Sequence, residues 1–327
     1  MKNVFYIFLA LFPSFVHVGI RKLIGQKIGK KVKIKFGTLI FSNNLEIGSN
    51  TKIGPFTYIN TKKLFIGQGS TIKSLAIIKT LEVNIANYVH IAPLSFISSE
   101  FTINSRFSIG DHSRIFPFCW LDTGEGINIG KHVGIGGHTL MFTHGVWSNY
   151  VDGGPVSFGP IIIEDNVWLP WRVFVMPNVK IGANTIVGAN SLLNKNIEES
   201  SLVAGSPAKV IKKISFDKTK RRERLITILE GYSNYFEFKY NVKSELKDNQ
   251  LIFKNSKIVI DQADNLNEGD LLILLDKELI KLKAPIKNKV SILNYNQLRI
   301  NFNRNKNKET KQFVSFIRRY GVRLYVD

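Results

Sequence analysis

The chain holds one cysteine, Cys119, among 327 residues. One thiol cannot build an intramolecular disulfide framework or a thiolate metal cluster, so neither staples this fold. The lack of disulfides fits a reducing, cytoplasmic compartment. Acidic residues are few, 25 against 45 Lys and Arg, for a formal charge of +20. Such a surface attracts anions, among them nucleic acid, anionic lipid and phosphorylated small molecules. The lysines are scattered rather than striped, which argues against a nucleic-acid footprint. Long apolar runs are scarce. The strongest, Val4 to Ile20, carries Pro13 and His17 and falls short of the roughly 20 residues of a membrane span. No small-x-small cleavage site follows it. Residues 1–26 therefore read as an apolar helix that packs on the end of the fold or lies on a membrane surface, with residues 1–24 making peripheral contact at the inner face of the cell membrane. A removed signal peptide and a short anchor are the alternatives. What is present is globular: 44% hydrophobic and 21% charged residues, with a length suited to about two domains.

A period of six organises the first two thirds. Aliphatic residues fall at Ile28, Ile34 and Ile40, at Ile47, Ile53 and Ile59, at Ile66, Ile72 and Ile78, and at Ile85, Ile91 and Ile97. They return at Ile109, Ile115 and Leu121 and at Ile129, Ile135 and Met141. After a break comes the unbroken run Ile163, Leu169, Val175, Ile181, Val187 and Leu193. A helix would place apolar residues three and four apart and would not accept this density of Gly, Asn and β-branched residues. Six is divisible by the strand period of two, so each hexad can hold one short strand and a turn. The residue after the aliphatic is often small, as at Gly48, Gly54, Gly110, Gly136 and Gly188, which permits a tight corner. Three hexads make one triangular coil of about 18 residues, and about seven coils stacked at ~4.8 Å form a column of roughly 35 Å with the aliphatics inside. The beat fails between Met141 and Ile163, and an excursion of about 142–162 from a rigid solenoid is where chemistry is expected.

The stretch from IGKHVGIGGHTLMFTHG through EDNVW (164–168) to AGSPAKVI (204–211) resembles the left-handed β-helix, hexapeptide-repeat acyltransferases, above all galactoside, maltose and xenobiotic acetyltransferases and the capsule and O-antigen O-acetyltransferases. The likeness is strong over about residues 105–213 and follows the repeat back to about residue 26. It implies a mainly β fold, a left-handed parallel β-helix over 27–213, and an O-acetyltransferase that moves acetyl from acetyl-CoA to a sugar hydroxyl in surface glycan synthesis. It also implies a homotrimer with sites between prisms, no covalent acyl-enzyme and no metal. By position in Phe142-Thr143-His144-Gly145, His144 matches the family's general base, which suits an imidazole titrating near neutrality. The Trp171 backbone N–H matches the oxyanion donor, although Leu169-Pro170-Trp171 departs from the family's aliphatic-Gly-small pattern. Asp122 matches a position that hydrogen-bonds the acceptor sugar, with a corner Asp bonding its own backbone as the alternative. His138, one hexad before His144, is expected to orient it or line the pocket, or else to fill a corner. Gly188, Ala189, Asn194, Lys195 and Lys209 match a coenzyme A groove, beside which Trp168 packs.

After Lys213 the hexads stop. Residues 214–327 read as a small α/β or α+β unit with a basic helix over Lys218–Glu230, strands over Phe236–Val242, Leu251–Ile260 and Leu271–Leu275, a turn at Asn265-Leu266-Asn267, a helix over Lys311–Tyr320 and a last strand over Val322–Val326. It shows no catalytic constellation, and capping the column is its simplest role. Three rivals remain in this fold: N-acylation of an amino-sugar nucleotide, a zinc enzyme of the γ-carbonic-anhydrase type drawing on His112, His132, His138 and His144, and a non-catalytic scaffold.

Overall fold

The computed structural model describes residues 2–100, 102–146, 148–247, 250–254, 256–261, 266–267, 270–275, 290–295, 297–301 and 308–326. The chain forms two compact units, Met1–Ser215 and Phe216–Asp327.

The first unit is a parallel β-helix whose rungs are the sequence's own aliphatics. On one face Ile28, Ile47, Ile66, Ile85, Ile109, Ile129, Ile163 and Ile181 stack in register. On the second, Ile34, Ile53, Ile72, Ile91, Ile115, Ile135 and Leu169 do the same. On the third, Ile40, Ile59, Ile78, Ile97, Leu121, Met141, Val175 and Leu193 complete the prism. All of them are buried. Each fully buried aliphatic side chain contributes roughly 1.5–3 kcal/mol, so this column of side chains is the principal source of stability.

Two local rules let the chain turn. The third residue after an inward aliphatic is left-handed, as at Asn50 (φ 61°), His112 (φ 59°), His138 (φ 57°) and Asn190 (φ 58°). Among residues with a side chain Asn tolerates that conformation well, and it is abundant in this chain's later corners. The residue directly after the aliphatic is small where the next coil closes in: a Cβ on Gly136 would lie 2.3 Å from the Pro170 carbonyl carbon. In the first coils the strands Leu39–Ile47 and Tyr58–Ile66 run through a corner and join two faces into one sheet, with two exposed residues where the inward register skips.

The apolar start is two helices, not one: α1 spans Lys2–Leu9 and α2 spans Ser14–Leu23, with Pro13 at the N-cap of the second. Proline lacks the N–H that a continuous helix would need there. The turn before it is tied down by Gly37 N–H donating to the Ala10 carbonyl at 2.8 Å.

Among its described residues the second unit holds a seven-stranded mixed sheet with helices α3 (Arg221–Tyr240) and α4 (Lys308–Ile317). Of the strand expected at Phe236–Val242, residues 236–240 are the end of α3 and Asn241 is its left-handed C-cap. Leu225, Leu229, Tyr232 and Phe236 follow four-three-four spacing and are buried together against Phe253, Phe313 and Phe316, so helical packing overrides the β propensity of the aromatics. Leu251–Ile260 is a hairpin of Gln250–Ile252 and Lys257–Ile260 rather than one strand. The last strand is only Tyr325–Val326, and the final turn expected in α4 is a 3₁₀ segment, Arg318–Tyr320. Asn265 of the expected turn lies outside the described residues.

Candidate active site

In a triangular coil, residues six apart sit on neighbouring corners, and residues one coil apart sit above one another. That rule finds the partner of His144. Leu121 pairs with Met141 across adjacent coils, which brings Asp122 beneath the chain as it leaves the third face. The buried Asp122 Oδ2 accepts from Thr143 N–H at 3.1 Å and Thr143 Oγ1 at 2.9 Å, and lies 2.7 Å from His144 Nδ1. A carboxylate only accepts, so Nδ1 carries the hydrogen in this contact, and in the neutral ring the lone pair is on Nε2. Nε2 has no hydrogen bond among the described residues, and half of the His144 side chain is exposed. The fully buried Thr143 also accepts from Glu125 N–H through Oγ1 at 3.0 Å, and its carbonyl accepts from Gly159 N–H at 3.0 Å. This clamps both ends of the excursion. The excursion itself is an exposed two-stranded ribbon, His144–Val146 against Val156–Phe158.

Two of the expected site residues have surroundings that bear on their roles. Asp122, the expected sugar-binding position, has its carboxylate buried beneath His144 and hydrogen-bonded to it. His138 does not orient His144, since one hexad is one side of the prism. His138 stands in a left-handed corner with its ring between Phe118 (5.0 Å) and Trp171 (5.8 Å). Sequence reasoning passed over Thr143 and the Asp122–His144 pairing. The signal was the separation of 22 residues, one coil plus the slack of its corners.

Trp171 lies on the same corner as His138, one coil on. Its indole covers Gly137, and its backbone N–H makes no hydrogen bond among the described residues. Trp168 is partly exposed, covers Gly134 and meets Phe116 at 6.2 Å. The coenzyme A candidates divide between two corners. Gly188 and Ala189 share one, where a Cβ on Gly188 would lie 2.6 Å from the Ala204 Cβ, and Ala204 pairs with Lys209. Asn194 and Lys195 are exposed on the next corner, beyond the strand Leu192–Leu193.

His112 and His132 join a stack with Tyr88, at ring distances of 5.0 and 5.3 Å. Among the described residues no three His, Cys, Asp or Glu side chains converge to hold a metal. His90 is pushed down to about 4 by burial and by Arg114 and Lys73. Cys119 is pushed up to about 11 by burial, which makes its thiol a poor nucleophile. An open groove of 1480 Å³ follows the first face from Phe5 and Tyr6, past Lys63, Glu82 and Arg106, to Glu125 and Pro160, next to the Asp122 corner.

No protein-family model matches the chain. A Schizosaccharomyces pombe protein named an acetyltransferase is 40% identical over 91 residues, 27% of this chain and 44% of that protein. The galactoside O-acetyltransferase of Lactococcus lactis is 36% identical over 114 residues, 34% of this chain and 54% of the enzyme. The chain is similar to acetyltransferases of the hexapeptide-repeat kind. It spans about half the length of the curated relatives it matches. A solved structure, a hexapeptide-repeat-containing acetyltransferase of Vibrio cholerae complexed with acetyl coenzyme A, is 29% identical over 42% of this chain and 73% of its own, with a TM-score of 0.33.

Proposed function

We propose that the chain transfers an acetyl group from acetyl coenzyme A to a hydroxyl of a sugar or glycan, with His144 as general base. The observation that carries the reading is the 2.7 Å contact between His144 Nδ1 and the buried Asp122 carboxylate, which leaves Nε2 open beside the ribbon. In this reaction Nε2 takes the acceptor's hydroxyl proton as the oxygen attacks the thioester carbonyl. The tetrahedral intermediate collapses, the C–S bond breaks, and the departing sulfur takes the proton back. No acyl-enzyme forms. Asp122 steadies the imidazolium that exists between the two transfers, and general-base assistance of this kind supplies about two to four orders of magnitude.

The unengaged Trp171 N–H is the candidate donor to the oxyanion. His144 and Trp171 lie on neighbouring corners, separated by a side of five or six residues, roughly 17–20 Å. One prism cannot bring them to the same carbonyl, so a site using both forms between two copies, as in the homotrimer expected from the sequence. Gly188, Ala189 and Lys209 would then flank the cofactor, with Lys209 facing a phosphate. The name of the Lactococcus relative, a galactoside O-acetyltransferase, supports a sugar hydroxyl as acceptor. The test is coenzyme A release against a panel of oligosaccharides and nucleotide sugars. His144→Ala should lower turnover at least a hundredfold. Unchanged acetyl transfer in that variant would end the role of His144, whereas wild type that releases no coenzyme A with any acceptor would favour a scaffold.

A further inference from the structure

The two amino-terminal helices leave a large apolar surface without a partner in the first unit. Val4, Phe8, Phe15 and Leu23 are 65%, 64%, 78% and 87% exposed, and Ile7 and Leu11 are also exposed. These residues are held rigidly. The fully buried Arg21 donates to His17 Nε2 at 2.9 Å, to Gln26 Oε1 at 2.8 Å and to the Ile40 carbonyl at 2.9 Å. Arg21 also lies 4.9 Å from the Tyr6 ring centre, and Ser14 Oγ accepts from Ile34 N–H. The helices are thus bolted to the first coil by these polar residues and by the buried Leu9, while Phe8, Leu11, Phe15 and Leu23 are exposed.

The charge beside this surface is mostly positive, with Glu46 paired to Lys27 at 3.6 Å. The first acidic residue in the sequence is Glu46, and before it stand Lys2, Arg21, Lys22, Lys27, Lys30, Lys31, Lys33 and Lys35. Lys22, Lys30, Lys31, Lys33 and Lys35 are all exposed. Apolar side chains for the acyl boundary, ringed by cations for the headgroups, are what an interfacial anchor requires. No described helix is long and apolar enough to cross a bilayer. A second copy of the chain is the other candidate occupant, but two such surfaces face to face would also bring their lysine sets together.

We infer that α1, α2 and the lysines of the first coil dock the protein on an anionic bilayer surface, with Phe8 and Phe15 inserted to the depth of the acyl boundary. The inference is independent of the acetyl-transfer reading. The test is sedimentation of the full chain with vesicles of phosphatidylcholine alone or with phosphatidylglycerol added. Wild type should partition onto the anionic vesicles and be released by salt. Phe8→Asp with Phe15→Asp should weaken partitioning by at least about tenfold. Lys30→Glu, Lys31→Glu and Lys33→Glu together should abolish the preference for anionic vesicles. Both aromatics are exposed, so the variants should keep the wild-type melting temperature. Wild type that ignores both vesicle types overturns the inference. So does a Phe8→Asp, Phe15→Asp variant that binds vesicles as wild type does. A change of oligomeric state in that variant, with no wild-type vesicle binding, would assign the surface to a second copy instead.

Discussion

Replacing Asp122 by Asn keeps the shape beneath His144 and removes the charge. Oδ2 now serves three donors, Thr143 N–H, Thr143 Oγ1 and His144 Nδ1. If the amide oxygen takes that place, the hydrogen bonds persist but the imidazolium loses its carboxylate. The difference between a charge-assisted and a neutral hydrogen bond is about 1–1.5 kcal/mol, which at 1.36 kcal/mol per decade is a loss of roughly 5- to 13-fold in kcat. If the amide nitrogen faces Nδ1 instead, the ring hydrogen must move to Nε2. The base is then lost, with a fall approaching about 10⁴-fold. Asp122 is buried, so KM for acetyl coenzyme A should change little, and the drop should lie in kcat. Steady-state kinetics of D122N, with H144A as the floor, reads this directly. A D122N enzyme within about twofold of wild-type kcat, alongside an inactive H144A, would show that the buried carboxylate is a corner fixture and not the support of the base.

Gly136→Ala should destabilise the first unit by about 2 kcal/mol or more, because its Cβ meets the backbone of Pro170 and Trp171 rather than a side chain that can move; urea unfolding measures it. The same change should lower kcat by displacing the Trp171 N–H. Burial and Arg21 push His17 down to about 3 from an ordinary 6.5. Above pH 6.5 neither folded nor unfolded chain protonates it. As pH falls from 6.5 toward 3 the unfolded chain takes up a proton that the folded chain refuses, and stability drops. At pH 4.5 the loss from this group is about 2.7 kcal/mol. Proteolysis of residues 1–26 should accelerate across that window, and His17→Gln should flatten the dependence.

The column was legible because its rule is local. Within each coil the inward aliphatics are six residues apart, and every one named from the sequence is buried in a rung. The second unit was less legible. Phe236 and Tyr240 have strand-forming side chains, and only the packing of α3 on Phe253 and Phe313 decides for helix. The site was half legible. The motif around His144 stands out, but the meaning of Asp122 depends on which residues stack. Counting by hexads pointed to His138, while counting by whole coils would have pointed to Asp122.

The coils differ greatly in length. Ile66 to Ile85 is one circuit, and so is Ile129 to Ile163, yet each pair meets in the same register. The interior does not sense what hangs outside it, because each rung takes its hydrogen bonds from the rungs above and below. A corner can therefore be lengthened, shortened or replaced by a graft without a signal reaching the stack. New recognition loops can be acquired by this architecture at any corner, leaving inheritance of the scaffold and invention at its edges to proceed separately.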